Sequence, residues 1–259
     1  MVSDNLTQEF VRISQRYVNE ELSQILSEVW NKISIILGGS ICFGGADKFS
    51  DIDLFVIASG DELKKSLPIN TQYENKRMGV DTGYSWQEME GYLKSPPTDA
   101  ESLFGTIQKA IILHDPDNRY KVIQEKINQY LPDDFWKKKL LKKWFDVFYT
   151  SDNGVLKALK REDPITTQIW KGELLQAIME LTFLLNRQYI PSKKWLYLNF
   201  CELPVLAKEL EAYLKKIIEI TNAEDMAATS RAIWDIFNLF IKEKKLLPPE
   251  VVDKPWKFV

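Results

Sequence analysis

The chain reads as an α+β protein, with an N-terminal mixed β-sheet flanked by helices and a C-terminal helical bundle behind it. Three observations lead there. Short β-branched runs, Ile33-Ser34-Ile35-Ile36-Leu37 and Ile52-Asp53-Leu54-Phe55-Val56-Ile57, are confined to the first half, as expected of buried strands. Beyond Asn118 the apolar residues recur at helical spacing over long segments. Pro164, Pro191 and Pro204 punctuate those segments, as prolines do at helix boundaries. The expected division is a sheet domain over residues 1–118 and a helical domain over residues 119–259.

Taken in order, Phe10, Ile13, Tyr17, Leu22, Ile25 and Val29 predict an opening helix over 4–30. The strand at 33–37 runs into Gly38-Gly39-Ser40, a turn where backbone can approach a ligand closely. A short helix is expected over 41–46, loop over 47–50 and a second strand over 51–58. A turn and helix are expected over 59–67, closed by Pro68, then strands over 71–75 and 77–84. A helix over 86–94 is stopped by Pro96-Pro97. Residues 103–114, ended by Asp115-Pro116-Asp117, suit a helix leading into a strand or a helix alone. Helices follow over 120–131, 135–160, 165–186, 203–221 and 223–243.

Composition excludes several function classes. Lys+Arg 34 against Asp+Glu 37 gives a net charge of −3, whereas a general nucleic-acid binder carries a basic surplus. Two distant cysteines, Cys42 and Cys201, form no disulfide framework and read as small buried apolar residues. The single histidine, His114, rules against a histidine metal site or a histidine-dependent triad and reads as structural. The N-terminal segment lacks an apolar signal core, and no run of eighteen apolar residues exists, so no membrane span is expected and the location expected is cytoplasmic. The many aromatics fit a core built from helices. Lys137-Lys138-Lys139 and Lys142-Lys143 read as a solvated helix face.

The chemistry concentrates at Asp51 and Asp53. Residues i and i+2 of a strand point to one face, so two carboxylates project together from a strand whose other face is buried. Such a pair is costly unless a cation sits between them, and carboxylate oxygen joined to substrate phosphate is the ligand set Mg²⁺ prefers. Gly38 and Gly39 expose backbone N–H groups and Ser40 adds a hydroxyl. A glycine turn between a strand and a helix start suits phosphate. Asp81, within Met78-Gly79-Val80-Asp81-Thr82, is the expected third acid, to bridge a metal or to accept a proton; Glu74 and Glu88 are its rivals. In the helical half, Lys171 and Lys194 are expected to reach the nucleotide, with Arg187 a further candidate. Glu173 lies in an apolar helix and must be paired or face a cavity; it is a candidate for binding a cationic acceptor or for serving as the general base in place of Asp81. Trp195 and Tyr197 suit core packing better than stacking on a base.

Gly39-Ser40, ten residues, then Asp51-Ile52-Asp53 resembles the signature of the DNA polymerase β-type nucleotidyltransferase superfamily, in the form found in minimal and antibiotic nucleotidyltransferases. The signature covers residues 36–57 and extends to Asp81. Leu185 through Leu196, containing Asn186-Arg187-Gln188-Tyr189-Ile190-Pro191, is similar to nucleotidyltransferase-like proteins with a DUF4037-type C-terminal region. One departure is Phe43-Gly44, where many minimal members carry arginine-glycine. The resemblance implies that Gly39 and Ser40 hold the β- and γ-phosphates of an NTP, ATP being the expected donor. It implies that Asp51 and Asp53 hold Mg²⁺, as two ions, with Asp81 sharing a metal or acting as base. The sheet domain would then be catalytic and the helical domain would bind the acceptor. The expected reaction is attack of an acceptor hydroxyl on the α-phosphorus with loss of pyrophosphate. A small molecule, such as an aminoglycoside- or lincosamide-like antibiotic, is the expected acceptor. Transfer to a protein or tRNA, or nucleotide binding without catalysis, are the alternatives.

Overall fold

The computed structural model describes residues 4–59, 63, 67, 69–94 and 100–253. The chain divides into two compact units, Met1–Tyr130 and Leu131–Val259. Most of the turn and helix expected over 59–67 lies outside the described residues.

In the first unit α1 (Asp4–Tyr17) continues through a π-helical turn at Val18–Leu22 into a single turn, α2 (Ser23–Ile25). The helix expected through residue 30 thus stops early. Ser23 Oγ donates to the Asn19 carbonyl and Gln24 Nε2 to the Glu20 carbonyl, side-chain bonds of the kind that compete with the helix ladder. Then come β1 (Ser34–Leu37), α3 (Gly39–Cys42), β2 (Ile52–Ile57), β3 (Ile69–Tyr73) and β4 (Lys76–Thr82). The unit closes with α4 (Trp86–Lys94), α5 (Ala100–Lys109), β5 (Ile111–His114) and α6 (Arg119–Asn128). The segment left open between two readings is thus a helix leading into a strand.

The sheet order is β3-β4-β2-β1-β5. Only β2 and β4 run parallel, which makes the sheet mixed as expected. Strand β2 alternates: Ile52, Leu54 and Val56 are buried, whereas Asp53 and Phe55 are half-buried on the other face. Ile52 and Leu54 lie beside Met78 and Val80 of β4, and Phe10, Ile13 and Tyr17 of α1 join them in one core cluster. Burying this apolar face against α1 leaves the acid face of β2 for other work.

The division between units falls after Tyr130. The reason is α6, which packs on α4 and α5. Gln124 Nε2 donates to the carbonyls of Ile107, Gln108 and Ala110 at 3.0, 3.1 and 3.0 Å, and so caps the end of α5.

The second unit is helical. It contains α7 (Asp133–Tyr149), a π-helical segment Thr150–Val155, α8 (Leu156–Lys160) and α9 (Pro164–Leu185). It continues with α10 (Lys193–Phe200), α11 (Ala207–Glu219), α12 (Ala223–Glu243) and α13 (Pro249–Asp253). The single helix expected over 135–160 is broken by the π segment, where a Cβ on Gly154 would stand 2.4 Å from the Trp170 ring. The glycine lets that indole press on the backbone. Helix α9 starts with Pro164 behind Asp163, whose carboxylate accepts from the Thr166 N–H. Trp144, fully buried, stacks on Trp234 with ring centroids 4.5 Å apart. Lys137, Lys138 and Lys142 are solvated as expected, whereas Lys143 turns inward to Glu180. Among the described residues no helix is long and apolar enough to cross a membrane.

Candidate active site

The glycine turn and the acid strand meet. The Gly38 N–H donates to the Asp53 carbonyl oxygen at 2.9 Å, which ties the end of β1 to the start of β2. Gly39 has φ +64, and a Cβ built on it would stand 2.2 Å from Asp53 Oδ2. A Cβ on Gly79 would stand 3.7 Å from Asp53 Oδ1. The Asp53 carboxylate therefore lies over the Gly39 backbone and beside Gly79, its register partner on β4. Phe55 does the same one step along: its Cε2 would be 2.7 Å from a Cβ on Gly38. Both glycines are needed here because side chains of β2 occupy the space a Cβ would take.

Asp51 immediately precedes β2, is exposed, and pairs with Arg77 Nη1 at 3.4 Å. Asp81 lies on β4 beside Phe55, on the same face as Asp53, and its Oδ1 accepts from the Thr82 N–H at 2.7 Å. In a parallel pair residues in register share a face. Among the described residues no group of three or more His, Cys, Asp or Glu side chains gathers to hold a metal. The carboxylate of Asp53 at the turn and that of Asp51, two positions earlier, make a donor set of two. That fits Mg²⁺, which is bound through one or two carboxylates plus phosphate rather than by an all-protein cage. Cys42 does not compete as a soft ligand. Burial pushes its thiol up to about 11, and its Sγ donates to the Leu37 carbonyl at 3.1 Å.

The rival acids have structural duties. Glu74 lies in the β3–β4 turn with φ 46 and pairs with Arg16 at 2.8 Å. Glu88 accepts from the Ser85 N–H and hydroxyl at 2.8 and 2.7 Å, while Ser85 Oγ accepts from the Glu88 N–H, a capping box at the start of α4. His114 stacks on Trp30 at 3.9 Å and its Nε2 bonds the Trp30 carbonyl, a structural role as expected.

The structure places the residues expected from the second unit as follows. Lys171 is 3% exposed and donates to the carbonyls of Ile218 and Ile220 at 3.0 and 2.5 Å, so its ammonium caps the end of α11 instead of reaching outward for phosphate. Burial pulls its pKa below the usual lysine range. Glu173 is exposed, neither buried nor in a cavity. It shares a solvent face of α9 with Ile165 and Ile169, 75% and 61% exposed, so the apolar neighbours that suggested burial are themselves outside. The buried acid of α9 is Glu180, held by Lys143 Nζ at 2.5 Å and by Gln176. Lys194 is exposed with its Nζ 4.8 Å from the Trp195 ring centroid. Arg187 pairs with Asp133 at 2.8 Å and lies 3.5 Å over Trp136. Tyr197 is 46% exposed and donates to Glu211 at 3.0 Å. Cys201 is exposed too, against its expected burial.

Two cations near the turn were not expected from sequence. Arg77 reaches Asp51 because the parallel register puts Ile52 beside Met78. Lys109, at the end of α5, places Nζ 5.4 Å from the centroid of Phe43. Neither is recognisable without knowing which strands and helices are neighbours.

No curated protein matches the chain. Residues 98–196 match the family model described as Domain of unknown function (DUF4037), a span that runs from α5 through α10 and so includes parts of both units. Among solved structures, the chain is similar to the crystal structure of a nucleotidyltransferase-like protein from Exiguobacterium sibiricum, with a TM-score of 0.52 and 9% identity. The likeness covers 95% of this chain and 78% of that one, and at that identity it is a likeness of fold. The chain therefore has a nucleotidyltransferase-like fold, α+β with a helical C-terminal region, and carries a DUF4037 match over residues 98–196.

Proposed function

We propose that this protein is an NTP-dependent nucleotidyltransferase that moves an NMP, with ATP as donor, onto a hydroxyl of a small-molecule acceptor. The observation that carries this reading is the Asp53 carboxylate lying over the Gly39 backbone, with Asp51 two positions before it. Phosphate donors and cation ligands then belong to one corner of the sheet. The backbone of Gly38 and Gly39 and the Ser40 hydroxyl bind the β- and γ-phosphates. Lys109 adds positive charge beside that turn, in the role of the arginine replaced by Phe43. Mg²⁺, when bound, would be held by Asp51 and Asp53 with substrate oxygens and would neutralise charge building on the phosphates. Asp81 takes the proton of the acceptor hydroxyl as its oxygen bonds to the α-phosphorus. The bond from that phosphorus to the β-phosphate bridging oxygen breaks, and pyrophosphate leaves. The chain's contribution is mostly positioning and electrostatic. A hydroxyl-bearing antibiotic belongs to the acceptor class, and the cytoplasm, with its supply of NTP, is the proposed location.

The test is pyrophosphate release from each NTP in the presence of Mg²⁺ and a panel of hydroxyl acceptors. Asp51→Asn and Asp53→Asn should each lower the rate by about a hundredfold or more, the scale on which removing a group that stabilises transition-state charge is felt. Absence of release with every acceptor, together with unaltered NTP binding in the two variants, refutes the proposal.

A further inference from the structure

The acid face of the sheet holds more than the acids. Past Asp81, between the sheet and α4, α5 and α6, lies a cavity of about 500 Å³. Its floor is Ile36, Phe55 and Ile57, and its walls include Tyr84, Met89 and Tyr92. The two tyrosine rings meet edge to face at 5.9 Å. Among the described residues no charged side chain lines it; the polar side chains among them are all hydroxyls, including those of Ser102 and Thr106. Thr106 Oγ1 already donates to the Ser102 carbonyl at 2.9 Å, so it meets a ligand as an acceptor. Cavities of this size and lining take ring-bearing small molecules.

Its position gives it a role. Along β2 the side chains of one face run Asp53, Phe55, Ile57. Asp53 lies at the glycine turn, Phe55 touches both Gly38 and the cavity, and Ile57 lies in the cavity floor. Asp81 is in register with Phe55, the residue that touches both the turn and the cavity. At ~3.3 Å per strand residue, Phe55 is about 7 Å beyond Asp53. A group bound against Phe55 in the cavity thus lies one strand over from Asp81.

We infer that this cavity is the acceptor subsite of the transfer proposed above, and that it takes an uncharged, largely apolar ring system bearing a hydroxyl. This rests on the transferase reading. The hydroxyl gives its proton to the Asp81 carboxylate, its oxygen bonds to the α-phosphorus, and pyrophosphate departs with the electron pair of the broken bond. Among the described lining residues no carboxylate compensates the ammonium groups of a polycationic acceptor for lost hydration, so such an acceptor is not expected to fit.

The experiment uses the full chain and 2-naphthol, an uncharged aromatic hydroxyl compound whose fluorescence reports binding. Thr106→Phe and Leu103→Phe each fill part of the cavity without touching the acids; either one that keeps the wild-type melting curve serves. The inference expects 2-naphthol to bind the wild type, to bind such a variant at least tenfold more weakly, and to withstand saturating ATP or kanamycin. It is overturned if 2-naphthol does not bind, if filling the cavity leaves its affinity unchanged, or if ATP or kanamycin displaces it. ATP binding, compared in the wild type and Asp53→Asn, is read separately. Its failure would count against the transferase reading, whereas the naphthol arm reports on the cavity.

Discussion

Gly39→Ala tests the contact on which the proposed phosphate corner depends. Two costs combine in it. At φ +64 an L-residue is strained by about 1–2 kcal/mol. The added Cβ would also stand 2.2 Å from Asp53 Oδ2 and 3.1 Å from Cγ, so the carboxylate must swing away. Forcing atoms into filled space costs a further ~1–3 kcal/mol, which brings the total to about 2–5 kcal/mol. Gly44 supplies the control. Its φ is +71 and a Cβ there meets nothing within 4 Å, so Gly44→Ala should show the backbone cost alone, about 1–2 kcal/mol. Removing the carboxylate should relieve Gly39→Ala in turn, because the Asp53 Cβ that remains would be 3.3 Å away, a contact that adjusts by tenths of an ångström. A double-mutant cycle of Gly39→Ala with Asp53→Ala should therefore show a coupling of about 1–3 kcal/mol. Urea titration read by hydrogen exchange on β2 peptides follows the first unit separately from the second. Equal costs for Gly39→Ala and Gly44→Ala, with additive behaviour in the cycle, would refute the contact and with it the shared phosphate and cation corner.

Three further outcomes are expected. Lys171→Met should destabilise the second unit by about 1–3 kcal/mol, since two carbonyls lose their donor, while leaving KM for the NTP unchanged; a raised KM would return Lys171 to the nucleotide. Lys143→Met leaves Glu180 without its cation and should lower the denaturation midpoint, and Lys143→Met with Glu180→Leu should recover most of the loss. Burial pulls the Lys143 pKa down, but the Glu180 hydrogen bond and charge outweigh it and the net direction is up. The contribution of this pair is thus intact at neutral pH and is lost as pH rises past the lysine range; a single variant as stable as wild type would contradict it. Alkylation with iodoacetamide at pH 8, followed by mass spectrometry, should modify exposed Cys201 first, because the Cys42 thiol, half-buried and pushed up to about 11, stays protonated. Equal rates would overturn that assignment.

Much of the fold was legible because it follows from local rules. Helix α4 spans 86–94 and α12 spans 223–243, as their periodicity and boundary residues predict. Helix α10 was missed, since it is short and follows Pro191-Ser192 in a stretch without a clear apolar stripe. Glu173 misled for a related reason. Apolar residues are spread around α9, so its sequence does not say which face is inside, and Ile165 and Ile169 are outside.

Sequence alone determined the chemical vocabulary of this protein: paired glycines, two acids two positions apart, and a third in a later strand. Period and spacing are local, and a strand sends alternate residues to one face whatever it packs against. Tertiary structure decided what those groups meet. Only the parallel pairing of β2 with β4 puts Asp81 beside Phe55 and Arg77 near Asp51. Only the packing of α5 on α3 brings Lys109 over Phe43, and only burial against the end of α11 turns Lys171 from a surface cation into a cap. Contacts between residues far apart in sequence depend on strand register and helix packing, which hydrophobic burial across the whole unit selects and no short segment encodes.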